Sequence, residues 1–227
     1  MPRNAKLYAY AVAAGGVGTL ACAGALWTSP SPIRFLVCLC LALLGSTFKV
    51  KLPGMESCIS PNFVALLYSV GTMSWQESVV MAGAAGIMQT LWRAEKRPML
   101  IQVLFNGANL ALALGTAFVV SDALAGGRIL FRLAIAVMVF EVLNTFSVSM
   151  IVTLITGDRL KGIWRNCHLW TFPYHLCGAV MAGVWIQSDL LMSASVTVLG
   201  AVALYLLGAF YRELVNRVAP SSVQSAI

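Results

Sequence analysis

The stretch "ILFRLAIAVMVFEVLNTFSVSMIVTLI", residues 129–155, is 27 residues long and contains only two charged residues, Arg132 and Glu141. About 20 consecutive apolar residues are enough to cross the hydrocarbon core of a bilayer as an α-helix. The stretch therefore predicts a membrane-spanning helix. Its second feature is Glu141, which lies near the middle of this span, where a carboxyl group is least expected.

The composition of the whole chain agrees with a membrane environment. Of its 227 residues, 59% are hydrophobic and 10% are charged, and the mean hydropathy is +0.85. A soluble domain has about 25% charged residues. The apolar stretches are continuous and lack the alternation of a membrane barrel, so the sequence predicts an all-α, polytopic transmembrane helix bundle in contact with the lipid bilayer. The net charge of +7 is spread over short segments, and we expect no nucleic-acid partner.

The apolar stretches predict about eight spans. Their approximate limits are Leu7–Trp27, Ile33–Phe48, Ile59–Ser74, Trp75–Trp92, Met99–Val120, Ile129–Ile155, Leu169–Gln187 and Leu190–Tyr211. The second and third are short for a core about 30 Å thick, so six spans with a re-entrant pair are an alternative. We interpret residues 1–218 as one integral membrane domain and residues 219–227 as a flexible cytoplasmic tail.

Lysine and arginine are unequally divided between the two sets of connecting segments. With a cytoplasmic N-terminus, three basic residues lie at the outside ends, Arg34, Arg128 and Arg132. The twelve on the inside are Arg3, Lys6, Lys49, Lys51, Arg93, Lys96, Arg97, Arg159, Lys161, Arg165, Arg212 and Arg217. Cytoplasmic segments carry such an excess. We therefore predict cytoplasmic N- and C-termini.

Two local patterns concern turns and packing. The segment "KVKLPGMESCISPNF", residues 49–63, predicts a short cytoplasmic turn in which Pro53-Gly54 ends a helix and reverses the chain.

Small residues recur every four positions in the first and fourth spans, which predicts close helix packing inside the bundle or, alternatively, a homodimer interface. These residues are Ala11, Gly15, Thr19 and Ala23, and Ser78, Ala82, Gly86 and Thr90.

Polar side chains inside the predicted spans are the candidate site. A charge at the bilayer centre costs at least about 2.5–3.5 kcal/mol on insertion scales, and such residues usually face the bundle interior. The candidates for ligand binding or switching are Glu141, Asn144, Asn106, Asn109, His175 and His168. We expect the carboxyl and the three asparagines to face one another between the fifth and sixth spans. The alternative is that these groups only form interhelical hydrogen bonds.

Motifs for catalysis or cofactor binding are not recognisable. The sequence contains no nucleotide-binding loop, HExxH or GxSxG motif, and its six cysteines form no CxxC pair. No compact ligand spacing supports a metal site at Glu141, His168 and His175. We therefore expect no enzymatic activity, no cofactor and no metal.

Several segments together resemble a bacterial membrane-associated sensor module of the MASE type. They are "KVKLPG", "ISPNF", "QTLWR", "QVLFNGANLALA" and "WTFPYHLCGA", and the resemblance covers roughly residues 5 to 217. In that family the module commonly precedes a cytoplasmic GGDEF diguanylate cyclase or an HD-type phosphohydrolase. No such domain follows here, so the chain is a shortened one, a free-standing relative, or a protein that signals through a separate partner such as a cyclic-dinucleotide enzyme.

The resemblance implies a sensory signal-input module that perceives a small ligand or a membrane state and passes it to a cytoplasmic partner. A weaker resemblance is to the membrane substrate-binding subunits of vitamin transporters, which implies a polar cavity for one small molecule. A structural assembly protein is a third alternative, and it leaves Glu141 without a role.

Overall fold

The computed structural model describes residues 1–51, 58–94, 97–188 and 190–218, and this part of the chain is almost entirely helical. The helices are α1 (Arg3–Ala25), α2 (Pro32–Thr47), α3 (Phe63–Thr72), α4 (Trp75–Leu91), α5 (Leu100–Ala125), α6 (Ile129–Thr156), α7 (Leu160–Gln187) and α8 (Leu190–Val218). The predicted all-α bundle of eight helices is confirmed. The predicted flexible tail, residues 219–227, lies outside the described residues.

Within the part of the chain that the structure describes, four helices, α1, α5, α6 and α7, are long and apolar enough to cross a membrane. Shorter apolar helices are Pro32–Thr47, Phe63–Thr72 and, within α8, Thr197–Tyr211. With its ten residues α3 rises only about 15 Å, half the thickness of a hydrocarbon core. Helix length and apolarity therefore support four membrane spans, whereas the sequence predicts eight.

The two ends of the bundle are defined by contacts between neighbouring helices. At one end, which we call the basic end, α1 begins beside the start of α5 and the last part of α6. There the Tyr8 hydroxyl donates a hydrogen bond to the Ser147 Oγ atom at 3.2 Å, and the Tyr8 ring lies 6.2 Å from the ring of Phe105. Lys49 donates to the Trp92 carbonyl, which brings the segments after α2 and α4 together.

At the opposite end, the connection between α1 and α2 is fixed to the start of α4. Ser29 donates to the Glu77 carboxylate at 2.6 Å, and Glu77 also forms a capping box with Ser74. Because α2 and α3 each run between this end and the segment near Trp92, the chain passes from one end of the bundle to the other. The re-entrant pair stays an alternative, because α3 with its ten residues is too short to cross a hydrocarbon core by itself.

The segment that follows α2 differs from its predicted form. The helix ends at Thr47, and Val50–Lys51 then pairs antiparallel with Cys58–Ile59 in a short two-residue ladder. Pro53-Gly54 was predicted to end the helix, and that prediction is wrong because Phe48 is already extended, five residues earlier. Pro53 and Gly54 themselves lie outside the described residues, between the paired strands.

The short helix α3 forms the centre of the bundle, packed against α2, α4, α6 and α7. Its first five residues, Phe63 to Leu67, are all buried. The closest approach is to α7, because a Cβ atom at Gly178 would lie 2.0 Å from the ring of Phe63. Only glycine therefore allows this ring to lie flat against α7.

The small-residue patterns pack differently in the two helices. In α4, Ser78, Ala82 and Gly86 are buried, and a Cβ atom at Gly86 would lie 2.7 Å from the backbone oxygen of Asn106 on α5. Internal packing is therefore confirmed for α4. In α1 the predicted face is only partly packed inside the bundle, because Ala23 is buried whereas Ala11 and Gly15 are exposed. The other buried residues of α1 are Ala5, Ala9, Ala13 and Gly16, and the homodimer interface stays a prediction.

Candidate functional site

Glu141 lies on α6 and is completely buried, with a relative exposure of 0%. Its carboxylate points toward α7 and contacts three side chains of that helix. The Oε2 atom lies against the Nδ1 atom of His175, the Oε1 atom lies 3.3 Å from the Nδ1 atom of His168, and the hydroxyl of Thr171 donates to Oε1. Among the described residues, Glu141 has no lysine or arginine partner.

The two histidines hold different positions around this carboxylate. His175 is 4% exposed, and its ring is held between two aromatic rings, Phe63 at 4.9 Å and Phe140 at 5.4 Å. Both rings meet it edge-on, an arrangement that fixes the orientation of the imidazole. His168 is half-buried and lies between Trp164 and Phe172. His168 and His175 are seven residues apart, and both reach Glu141, as expected for one helical face.

Hydroxyl groups extend the contacts of Glu141 along both helices. The Thr171 hydroxyl lies between the Glu141 Oε1 atom and the Cys167 carbonyl, which is 2.9 Å away. The Thr145 hydroxyl donates to the Glu141 carbonyl at 2.6 Å and accepts a hydrogen bond from the Trp164 indole at 3.1 Å. Each hydroxyl therefore connects the carboxylate segment of α6 with the first half of α7.

The three asparagines do not form one group with Glu141. The Nδ2 atom of Asn109 donates to the Oδ1 atom of Asn144 at 2.7 Å, which confirms the predicted contact between α5 and α6. Asn106 instead donates to the Thr90 hydroxyl on α4 at 2.9 Å. The expectation that Asn106 and Glu141 join the same cluster is therefore wrong. Glu141 turns toward α7 because its hydrogen-bonding partners are there.

A cavity of about 70 Å³ lies beside the carboxylate cluster. Its polar lining comes from α4, α6, α7 and the segment just before α3, and the residues are Ser60, Asn62, Gln89, Asn144, Thr145, Thr171 and His175. A site for a drug-sized ligand is roughly 300–1,000 Å³. The cavity is therefore suited to a few water molecules or an ion of similar size.

Ser60 and Asn62 are site residues that the sequence analysis did not identify. Both belong to "ISPNF" and are buried, and Asn62 donates to the Ser46 hydroxyl at 3.0 Å and to the Gln89 side chain at 3.4 Å. The segment is thus more than a turn, because it brings polar groups and Phe63 into the core. In the sequence, the only indication of this role is that the segment stands next to an apolar helix. An asparagine at that position can be a helix cap as well as a buried residue, so the indication does not distinguish the two.

Helix α7 connects the cluster with the last helix of the chain. Pro173 lies inside α7, between Thr171 and His175, and it has no N–H to donate to the preceding turn. On the far side of α7, the Tyr174 hydroxyl donates to the Leu204 carbonyl of α8 at 2.9 Å, and the Tyr211 hydroxyl donates to the Trp170 carbonyl at 2.6 Å. Both faces of this helical segment are therefore held by buried polar contacts.

The site shows no recognisable metal-binding arrangement: within the described ranges, no three His, Cys, Asp or Glu side chains are placed to hold an ion. Glu141, His168 and His175 are instead placed as an acid and two bases in mutual contact. No family model matches the sequence, and neither a curated protein nor a solved structure is significantly similar to it.

Proposed function

We propose that this chain is a sensory signal-input module of the bacterial inner membrane, with both termini cytoplasmic and without enzymatic activity of its own. The observation that carries the proposal is the contact of Glu141 with His175, which joins α6 to the proline-containing part of α7. A buried carboxyl in an apolar bundle is costly, and such groups usually take part in binding or switching. The cluster is therefore the element that changes state.

The coupling to the output is through α7 and α8. Tyr174 is the residue next to His175, so a change in the position of the imidazole also moves a side chain that is bonded to α8. Helix α8 continues to Val218 without a break, seven residues beyond the predicted end of the eighth span at Tyr211. A continuous helix can carry a rotation or shift from the core to a cytoplasmic partner, for which a cyclic-dinucleotide enzyme is our proposal.

The transporter alternative has less support from the geometry of this site. The polar cavity holds about 70 Å³, well below the roughly 300 Å³ at which sites for vitamin-sized ligands begin. The larger hollow, about 460 Å³ between α6 and α7, is lined almost wholly by apolar side chains and offers no cluster of polar groups that would select a vitamin. The sensor proposal needs only a small stimulus.

The experiment that tests this function fuses α8 to a diguanylate cyclase and measures cyclic di-GMP in cells. Two alanines are inserted after Asn216, and a full heptad is inserted at the same point in a second fusion. A mechanical coupler loses or inverts its output with two residues and largely recovers with seven, because seven nearly restore the helical phase. Identical output from the three lengths contradicts the proposal.

The role of the site is tested with Glu141→Gln in the unmodified fusion, and Asn106→Ala is its control. The first change removes the ionisable group at the cluster while keeping its size, and the second removes a polar contact elsewhere in the bundle. We expect a changed output from Glu141→Gln only. An equal response from both variants contradicts a specific role for the cluster.

A further inference from the structure

Hydroxyl side chains follow Glu141 along one face of α6 toward the basic end. Thr145, Ser149 and Thr153 come at successive steps of four residues, so they lie one above the other. The distance from Glu141 to Thr153 along the helix is about 18 Å at 1.5 Å per residue. We call these three side chains the hydroxyl stripe.

Buried polar atoms without a hydrogen bond are concentrated around the stripe and the cavity. Seven such side-chain atoms occur in the part of the chain that the structure describes, and one of them, the Arg132 Nε atom, is elsewhere. The other six belong to Ser60, Glu141, Ser149, Thr153, His168 and His175. For the two histidines and the carboxylate, the mutual contacts are ion-pair contacts that lack hydrogen-bond geometry.

Unpaired buried polar atoms usually bind ordered water. The cavity beside Glu141 has about 70 Å³, and one water molecule takes up about 30 Å³ of liquid volume. About two water molecules therefore fit there, and they reach His175 and Thr145 on the cavity wall. The Thr153 hydroxyl, which has no hydrogen bond, and the Ser149 hydroxyl, which contacts the Cys167 thiol, offer further hydrogen-bonding positions from the cavity toward the end of α6.

In the opposite direction the same helical faces are apolar. One and two turns before Glu141, α6 carries Val137 and Leu133, each 2% exposed. After His175, α7 carries Ala179 and Ala182, and α3 contributes Val70. These side chains belong to one hydrophobic cluster, and the hollow between α6 and α7 on this side is lined almost wholly by apolar side chains. The described residues therefore form no polar route from Glu141 to the end of the bundle where α6 begins.

The charged and titratable groups around Glu141 determine which ion a route along the hydroxyl stripe would carry. Its titratable neighbours are His168, His175 and Cys167, all from α7. The facing side chains of α3, α4 and α5 that line the cavity are uncharged: Phe63, Gln89 and Leu110. A buried carboxylate needs a compensating positive charge, and no lysine or arginine among the described residues contacts Glu141 to supply it.

We propose that the cluster of Glu141, His175 and His168 binds one proton, which enters only from the basic end along water molecules held by the hydroxyl stripe. This inference rests on the proposed function and identifies its stimulus as the pH on one side of the membrane. A hydronium ion in the bulk water on the basic side gives up the proton at the Thr153 end and becomes water, and the proton is finally held between the Glu141 Oε2 atom and the His175 Nδ1 atom. The net charge of the cluster thereby rises by one, and the contact that joins α6 to α7 changes from a carboxylate beside a neutral imidazole to a carboxylate and an imidazole that share a proton.

The test uses the purified full-length protein in vesicles of phosphatidylethanolamine and phosphatidylglycerol, with protein orientation determined by labelling of Ala94→Cys. A rapid pH change is applied on one side, and the infrared difference spectrum is recorded with Glu141→Gln as the reference. Trp164 gives a second signal, because a protonated His168 ring at 6.1 Å quenches its fluorescence. Trp164→Phe identifies that signal among the six tryptophans.

The proposal predicts a Glu141-dependent signal that responds fast to pH on the basic side and slowly to pH on the other. Combining Ser149→Ala with Thr153→Val slows the response by about tenfold or more, which is one step of ~1.4 kcal/mol in a barrier. Ser147→Ala is the matched control, because Ser147 is on α6 but outside the stripe, bonded to Tyr8. The control keeps the rate of the unsubstituted protein. Thr153→Val alone, which preserves shape, provides the measurement if the double variant does not fold.

Three results overturn the proposal: no Glu141-dependent signal, equal response from both sides, or a signal that follows sodium concentration at constant pH. Two outcomes distinguish a failure of the proposed function from a failure of the proton site. A cluster that titrates while the cyclase fusion ignores Glu141→Gln retains the proton site and refutes the sensor. A fusion that responds to Glu141→Gln without any titration retains the sensor and refutes the proton site.

Discussion

The imidazole of His175 contacts the carboxylate of Glu141 across the interface of α6 and α7, and both side chains are almost completely buried. The contact lies two residues beyond Pro173 and next to Tyr174, whose hydroxyl is bonded to α8. One acid–base contact thus lies at the point where the bundle's polar core meets its last helix. This relationship is the basis of the predictions below.

Replacing Glu141 distinguishes loss of charge from loss of hydrogen bonding. Glu141→Leu leaves His175 without the carboxylate and removes one of the two acceptors of the Thr171 hydroxyl, which keeps the Cys167 carbonyl. A buried unsatisfied group costs about 1–3 kcal/mol. Glu141→Gln keeps an acceptor for Thr171, so we expect it to unfold at a higher temperature than the leucine variant. Thermal unfolding in detergent micelles, followed by circular dichroism, measures both. Equal midpoints for the two variants contradict the hydrogen-bonding account of the site.

The hydrogen bond between Asn109 and Asn144 is expected to be specific to that pair. A double-mutant cycle with alanine should give a coupling free energy of about 0.6 kcal/mol and at most about 1.7, the range for side-chain hydrogen bonds in a membrane bundle. Asn106 and Asn144 form the control cycle, because Asn106 is bonded to Thr90 instead. Chemical denaturation in mixed micelles provides the free energies. Coupling of the same size in both cycles would refute the pairing.

Glycine at position 178 is expected to be essential for the packing of α3 on α7. Gly178→Ala places a Cβ atom 2.0 Å from the Phe63 ring, and overpacking of this kind costs about 1–3 kcal/mol. Gly162→Ala is the matched control on the same helix, with nothing within 4 Å of the added atom. Alanine is the better helix former there, so the control should be neutral or stabilising by up to about 1 kcal/mol. Thermal midpoints in the reverse order contradict the packing described for Phe63.

The orientation predicted from the basic residues can be tested by cysteine accessibility. In a variant without native cysteines, Ala94→Cys represents the basic end and Ala123→Cys the opposite end. A membrane-impermeant reagent applied to spheroplasts should label position 123 and spare position 94, because cytoplasmic segments carry the lysine and arginine excess. Strong labelling at 94 with none at 123 reverses the orientation.

The sequence predicts helices better than it predicts their contacts. The start of α6 at Ile129 follows from the preceding Gly-Gly-Arg and the long apolar run, whereas α7 begins at Leu160, nine residues before its predicted start. The sequence does not predict this part of the helix, because the charged residues 161 and 165 lie before the apolar stretch from which the span was identified. Polar residues within such a segment are compatible with either a loop or the first turns of a long helix.

Candidate residues were easiest to identify where the residue type is costly in lipid. Glu141 and the two histidines were found for that reason, and they do meet. Asn62 and Thr171 were missed, since an asparagine beside a turn and a single threonine are ordinary in helical membrane proteins. The choice of partner was also beyond the sequence, because the rotation of α6 that turns Glu141 away from Asn106 depends on packing against α7.

The central claim is that the state of Glu141 determines the position of α8. Spin labels at Ile155→Cys, at the exposed end of α6, and at Arg217→Cys, near the end of α8, measure this by double electron–electron resonance in a variant without native cysteines. A second pair, Ile155→Cys with Tyr10→Cys on α1, serves as the control. The account predicts that Glu141→Gln shifts the distance distribution between α6 and α8 and leaves the α6–α1 distribution unchanged. Identical α6–α8 distributions with and without the carboxyl would contradict it.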